Sequence, residues 1–357
     1  MTNAELARLL NISPAALSLI INNKPGVSDA TRERVLSQLE EMGLSSRIKK
    51  APTAAVSNNL CFIIYKRHGE ILDLHPFFLL LIENVETHAR SYGYNILLST
   101  IDKRKPMEPQ IEHLHTLNCQ GAVIFGTEMQ DEDMDAFLSL HIPLVVMDND
   151  LTRLPCNTIS INNQMGTYQA IEHLIQMGHT RIGYLKSQIR INSFKERHQG
   201  YANALTHFGL AFQPEHILSV HYTEEGSYRD LIQYLENHTP GELPDAFVCD
   251  DDTIAVGALR AFKEKGIRVP DDISVIGFND RPTCEETFPP LTSINVSKRS
   301  LAFEAVEELI RLIKNQEQVN KQEQTNRQDP ANEETRSRKI RIGTKLIIRD
   351  SVSHHLS

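Results

Sequence analysis

Asp148 ends an apolar run that opens at Leu144, Asp251 follows the run Ala246–Cys249, and Asn279 follows Ser274–Phe278. Arg197 sits in a stretch of helical spacing just before Gly200-Tyr201. Side chains placed after the carboxyl ends of parallel strands share the edge where small molecules bind. The chemistry available there is multidentate hydrogen bonding. Carboxylates accept from hydroxyl groups, and a guanidinium forks to two hydroxyls or to a carboxylate. A polyol also needs an apolar surface to lie against. Phe77, Phe78 and Tyr222 can supply it, with Asn192 and Ser193 as subsidiary polar candidates. Asp148, Arg197, Asp251 and Asn279 each have an ordinary alternative as a helix cap or ion-pair partner. Asp252 in particular is expected to cap the helix that starts near Thr253.

The sequence carries no recognisable catalytic constellation. Gly121-x-x-x-x-Gly126-Thr127 is half a phosphate-binding loop without its Lys, and GxGxxG and GxSxG are absent. Glu112-His113-Leu114-His115 lacks HExxH spacing, and the consecutive Asp250-Asp251-Asp252 are poorly placed to converge on one ion. The five cysteines, at 61, 119, 156, 249 and 284, form no CxxC pair and fit a reducing cytosol. No catalytic residue, cofactor or metal is expected.

The elements that must position the polar set follow from periodicity. The chain has 357 residues, 40% apolar and 23% charged, which excludes a largely disordered or fibrous protein. Its longest apolar runs, such as Phe77–Ile82, are far short of the roughly 20 residues that span a membrane. No secretory signal is readable. Strands are predicted at Leu60–Tyr65, Tyr94–Thr100, Gly121–Phe125, Leu144–Asp148, Arg181–Leu185, Ala246–Cys249 and Ser274–Phe278. Amphipathic helices fall between them, among them Phe77–Ser91, Met165–Gln176, Phe194–Phe208 and Thr253–Lys265. The pattern predicts an α/β body of two doubly wound lobes around a cleft. The expected division is 59–157 with about 291–315 for the first lobe, and 158–290 with about 339–352 for the second. Asn315–Arg338, almost wholly polar, is expected to be a disordered insertion.

A second constellation lies at the start. The net charge is −9, yet residues 1–57 carry +2, leaving −11 on the remainder. A small basic head can bind DNA while an acidic body repels it. Thr2 and Glu5 form a capping box for a helix with Leu6, Leu9 and Leu10 inward. Asn11 suits a tight turn, and Ser13-Pro14 open a second helix with Leu17, Ile20 and Ile21 inward. Ser28 caps a third, Asp29–Met42, with Val35, Leu36 and Leu39 inward and Gly43 as its stop. Over residues 1–45 this reads as an all-α helix-turn-helix, with a generic three-helix cap as the alternative.

The residues themselves point further. Thr2–Ser13, Leu17-Ser18, Ile20-Ile21-Asn22 and Val27–Val35 resemble, without gaps, the headpiece of the lactose-repressor (LacI/GalR) family. Pro76-Phe77-Phe78, Gly178–Gly183, Arg197-x-x-Gly200-Tyr201, Val269–Asp280 and Gly343–Ser351 resemble that family's effector-binding core, which is similar to periplasmic sugar-binding proteins. The resemblance implies that the second helix enters the major groove of double-stranded operator DNA. The DNA-facing set becomes Thr2, Pro14, Ala15, Ala16, Ser18, Leu19, Asn22, Ser28, Thr31 and Arg32. In the linker, residues 46–58, Arg47, Lys49 and Lys50 read as phosphate contacts.

Two departures stand out. Leu19 occupies a slot where the family most often has Arg, so it offers apolar contact in place of a bidentate contact to guanine. The linker lacks the family's Pro-Asn start and its wedging Leu, and Pro52 disfavours a helix there, at odds with a minor-groove wedge. The resemblance also assigns Asp148, Arg197, Asp251 and Asn279 to a sugar-like effector. It implies a cytoplasmic, homodimeric, ligand-responsive repressor. Val352–Ser357 holds no leucine heptad for a tetramer. A transport-type sugar-binding protein and an α/β enzyme with an accessory headpiece are the alternatives.

Overall fold

A computed structural model describes residues 3–21, 26–42, 44, 57–72, 77–324 and 336–355; for 3–5, 29–30, 40–41, 77–80 and 320–324 it describes the backbone alone. Residues 1–57 and 58–357 form two separate units.

In the first unit, helices α1 (Asn3–Leu9), α2 (Pro14–Ile21) and α3 (Asp29–Glu41) bury Leu6, Ala7, Leu10, Leu17, Ile20, Val35 and Leu39 against one another. The Ser13 hydroxyl accepts from the Ala16 N–H at 3.0 Å and caps α2. Asn11 takes the left-handed conformation, φ 53°, that the turn requires. Leu9, expected inside, is 60% exposed. Ala7 fills its place in the stripe, because the 6, 7, 10 spacing covers the inner face of so short a helix.

The second unit holds two six-stranded sheets. Strands β1 (Asn59–Lys66), β2 (Asn95–Asp102), β3 (Gly121–Phe125), β4 (Leu144–Met147), β5 (Asn157–Ile161) and β11 (Lys339–Ile342) make the first, in the order β11-β5-β4-β3-β1-β2 and parallel throughout. Strands β6 (Ile182–Ser187), β7 (Ile217–Val220), β8 (Ala246–Cys249), β9 (Ser274–Asn279), β10 (Thr292–Val296) and β12 (Thr344–Ile347) make the second, in the order β12-β10-β9-β8-β6-β7, with β12 antiparallel. Leu60–Tyr65 and the whole of β3 are buried, as expected of parallel strands covered on both faces. The α-helices among the described residues of this unit are α4 (Phe77–Ser91), α5 (Met107–Thr116), α6 (Asp135–Leu138), α7 (Asn163–Gln176), α8 (Asn192–His207), α9 (Glu224–Glu236), α10 (Asp252–Glu264), α11 (Thr283–Glu286) and α12 (Lys298–Gln324).

The chain passes between sheets three times, after β5, after β10 and after β11. The sequence-based division therefore needs correction on three counts. Strand β5 lies wholly in the first lobe. Residues 292–296 belong to the second, where the Ser293 hydroxyl donates to buried Asp252 at 2.6 Å. Residues 339–342 return to the first before β12 closes the second. The insertion expected from Asn315 starts as helix, since α12 continues to Gln324. Glu, Gln and Lys are good helix formers, so the helix outlasts Ile313, its last buried residue among the described side chains. Residues 325–335 of that segment lie outside the described residues.

Helix α10 packs so closely on α9 that only glycine fits at 257. A Cβ there would stand 2.1 Å from Ser227 Oγ and 2.4 Å from the Glu224 carbonyl oxygen. Gly257→Ala is therefore expected to destabilise the second unit by about 1–3 kcal/mol in urea denaturation. An unchanged midpoint would show that the two helices are not in this contact.

Candidate functional site

At the carboxyl ends of both sheets the lobes enclose a cavity of about 570 Å³, counted with its mouth. The first lobe contributes Ile71 and Leu72 after β1, Phe125 and Thr127 at the end of β3, Asp148 after β4 and Ile161 of β5. The second contributes Ile191, Ser193, Phe194 and Arg197 after β6, Tyr222 after β7, Asp251 after β8, and Asn279 and Arg281 at the end of β9. Every lining residue thus lies at or beyond the carboxyl end of a strand, where an α/β sheet presents its ligand crevice.

Arg197 is the most closely held of them. It is 3% exposed, and its guanidinium lies 3.7 Å from the centroid of the Phe278 ring. Nε donates to Asn163 Oδ1 at 2.9 Å, Nη1 to the Asp250 carbonyl oxygen at 2.6 Å and Nη2 to Asn279 Oδ1 at 3.3 Å. A guanidinium has five N–H donors, so these bonds fix its plane and still leave donors for a ligand. Phe194 and Tyr222, with centroids 5.4 Å apart, form an aromatic wall beside it. Burial pushes the Tyr222 hydroxyl well above its ordinary pKa.

Asp148 adopts φ 65° at the end of β4, and Asn279 adopts φ 104° at the end of β9. Left-handed backbone at non-glycine residues is costly and concentrates at functional sites. The Asp148 carboxylate accepts from Thr127 Oγ1 at 2.6 Å. Enclosure by protein raises its pKa to about 6, against the opposing pull of the Thr127 hydrogen bond and the Arg197 charge.

The three consecutive aspartates have three separate tasks. The Asp250 carboxylate accepts from Tyr184 Oη at 2.5 Å, the Ser187 N–H at 2.7 Å and Arg190 Nη1 at 2.6 Å, tying β8 to the end of β6. Asp251, not Asp252, caps α10, accepting from the Thr253 N–H at 2.8 Å. Its other oxygen accepts from Asn279 Nδ2 at 2.5 Å. Asp252 is fully buried, bonded to Ser293 and to the Arg281 N–H. Burial, aided by its neighbour Asp251, raises its carboxyl to about 7.

Glu128 shapes the opposite wall and was not legible in the sequence. Its buried carboxylate accepts from the N–H groups of Arg67, His68 and Gly69 at 2.8–3.0 Å and from those of Ile71 and Leu72 at 3.0 and 3.3 Å. That nest of amides turns the chain after β1 so that Ile71 packs into the apolar cluster of the second lobe.

Of the expected effector residues, Asp148, Ser193, Arg197, Tyr222, Asp251 and Asn279 line the cavity together. Asn192 does not. Its Nδ2 donates to Asn149 Oδ1 at 2.9 Å, bridging the lobes beside the cavity. Phe77 and Phe78 lie on α4, but their side chains are outside the described residues. Ile71, Leu72, Phe125, Thr127, Ile161, Ile191, Phe194 and Arg281 were missed, being ordinary residues that the strand ends bring to one place.

On the headpiece, Pro14, Ala15 and Ser18 are exposed on α2, whereas Ala16 and Leu19 are half-buried. Leu19 Cδ1 lies 3.2 Å from where a Cβ on Gly26 would stand, so part of its apolar surface is spent on that turn. The Ser28 and Thr31 hydroxyls are 2.8 Å apart and close the first turn of α3. Arg32 is half-buried on the same helix. Thr2, Asn22, Arg47, Lys49 and Lys50 lie outside the described residues.

Comparison with known proteins agrees with this layout. Residues 171–352 match the periplasmic binding protein-like domain family. The ribose operon repressor of Haemophilus influenzae is 31% identical over 317 residues, spanning 88% of this chain and 92% of that protein. The HTH-type transcriptional repressor PurR of Haemophilus influenzae (strain PittEE) is 30% identical over 323 residues, spanning 89% and 92%. Among solved structures, a cellobiose complex of the transcriptional regulator CelR shares the fold with a TM-score of 0.69 at 22% identity, covering 98% of this chain and 99% of that one. The Lac repressor bound to ONPG does so with a TM-score of 0.67 at 24% identity, covering 99% of each. A helix-turn-helix head, a two-lobed core with its polar crevice, and near full-length similarity to two repressors agree: the chain belongs to the lactose-repressor (LacI/GalR) family of ligand-responsive transcriptional regulators.

Proposed function

We propose that the protein is a cytoplasmic, homodimeric repressor whose effector is a sugar or sugar derivative held between the lobes. The observation that carries this reading is the fixed Arg197 guanidinium, facing the same cavity as the Asp148 and Asp251 carboxylates and an apolar wall. Such a set suits a neutral polyol. The carboxylates accept from hydroxyls, Arg197 donates to ring or hydroxyl oxygens, and Ile71, Leu72 and Phe194 cover the apolar face of the ring. The cellobiose in the CelR complex supports the sugar class.

Asp148 belongs to one lobe and Arg197 to the other, so a ligand bonded to both sets the angle between them. That angle determines the spacing of two headpieces on a two-fold operator. A coupling of about 1–3 kcal/mol would change operator affinity 5–150-fold. No helix among the described residues is long and apolar enough to cross a membrane.

In a gel shift with the DNA upstream of its own gene, the full chain should bind and the fragment from Asn58 should not. Equal binding by the fragment would remove the headpiece from the account. A thermal-shift screen of sugars should return a ligand that raises the melting temperature by mass action. Arg197→Ala should abolish the effect of that ligand on operator binding while ligand-free binding persists. An intact ligand response would exclude Arg197 from the site.

Asp148 adds a pH signature. Its folded pKa, about 6, lies above the ordinary 3.8, so the folded state holds the proton more tightly. Its contribution to stability is greatest below about pH 4, declines as pH rises through 6 and is a constant penalty above. Asp148→Asn should therefore raise the melting temperature of the ligand-free protein at pH 7.5, with the gain shrinking towards pH 4. A gain independent of pH would contradict the assignment.

A further inference from the structure

On the far side of the second lobe, three side chains that take no part in the cleft converge. His179 follows the Gly178 turn after α7, Asp245 precedes β8, and His355 lies on the C-terminal segment. One ligand atom from each lies within 4.8 Å of the others. His179 Nδ1 is 3.5 Å from Asp245 Oδ1, and His355 Nε2 is 3.6 Å from Asp245 Oδ2. The donors of a tetrahedral ion at about 2.0–2.1 Å stand roughly 3.3–3.4 Å apart, so small shifts would close the set on one ion.

The state of His179 calls for a cation. Its Nε2 lies 3.1 Å from the Ser353 carbonyl oxygen, which can only accept, so Nε2 carries the hydrogen. In the neutral ring Nδ1 is then a bare lone pair. It is buried, it faces a carboxylate oxygen, and it has no hydrogen-bond partner among the described residues. A bare lone pair 3.5 Å from a carboxylate oxygen is repelled by it unless a positive charge lies between them.

The surroundings match a metal's outer shell, in which a ligating His donates its second N–H to a carbonyl and a ligating carboxylate is itself hydrogen-bonded. Asp245 accepts from the Thr180 and Arg181 N–H groups at 3.2–3.4 Å. The tail is fixed by the His355 N–H donating to the Met177 carbonyl at 2.8 Å and by Ser353 Oγ donating to the Pro270 carbonyl at 3.0 Å. The pocket there, about 460 Å³, has room for water as a fourth ligand.

We propose that His179, Asp245 and His355 bind one divalent transition-metal ion of the zinc class, which staples the C-terminal segment to the second lobe. Nitrogen and carboxylate donors without thiolate suit Zn²⁺ and its neighbours better than Ca²⁺ or Mg²⁺.

The test is titration of the full-length protein, stripped with EDTA, with Zn²⁺ in a calorimeter and in a thermal-shift assay. The expected result is one Zn²⁺ per chain and a raised melting temperature. His355→Ala sits on the half-buried tail and should fold normally by circular dichroism. It should weaken the Zn²⁺ affinity at least about tenfold and abolish the thermal gain. The exposed His115→Ala should change neither. The proposal is overturned if no stoichiometric Zn²⁺ binds, or if His355→Ala binds it as tightly as the parent; a protonated His179 would then account for the contact with Asp245.

Discussion

A guanidinium removed from water has to find hydrogen-bond acceptors where it stands, because an unpaired buried charge costs several kcal/mol. Arg197 meets that demand with two amides and a carbonyl, Asn163, Asn279 and the Asp250 backbone, and with the face of Phe278. None of these direct partners is a carboxylate, so its positive charge is not spent in an ion pair and remains available to a polar ligand. Much of the second lobe is arranged around this. Asn163 opens α7, Asp250 is clamped by Tyr184, Ser187 and Arg190, and Asn279 is held by Asp251.

The same bonds connect the cleft to the junction of the lobes. Asn163 Nδ2 donates to Glu196 at 2.8 Å, and Glu196 accepts from Arg341 of β11 in the first lobe at 3.0 Å. Arg341 also reaches Asp150, two residues beyond Asp148, at 2.6 Å. Asn192 bonded to Asn149 adds another polar link between the lobes, beside apolar contacts: Ile71 packs into the second-lobe core, and one buried apolar cluster includes residues of both lobes. Polar contacts of this kind can be remade at a different angle, whereas a close-packed apolar interface resists such a change.

Much of this was legible from residue order. Continuous apolar runs separated by helical spacing marked the central parallel strands of both sheets, and a polar residue at the end of such a run marked Asp148, Asp251 and Asn279. The strands β5, β7, β10, β11 and β12 were not predicted: Asn157–Ile161 alternates with polar residues that are buried, Ile217–Val220 is only four residues long, and the last three mix polar with apolar residues. The lobe boundaries were misplaced because strand order, which periodicity does not encode, puts β10 beside β9. Asp252 was taken for the cap because it adjoins Thr253. The geometry gives that task to Asp251, and burial of Asp252 depends on Gly277, where a Cβ would stand 2.1 Å from its Oδ1. The Glu128 nest and the His179–Asp245–His355 cluster join residues far apart in the chain, so no local pattern announces them.

The central claim is that a ligand in the Arg197 cleft and operator DNA at the headpiece act on one equilibrium. Linkage makes the coupling reciprocal, whatever its structural route. The direct measurement is the affinity of the full-length protein, by calorimetry, for the ligand returned by the sugar screen, with and without saturating operator duplex, set against its operator affinity with and without that ligand at saturation. The two ratios should be equal and clearly different from one. A ligand affinity indifferent to operator, for a protein that binds both, would contradict the account.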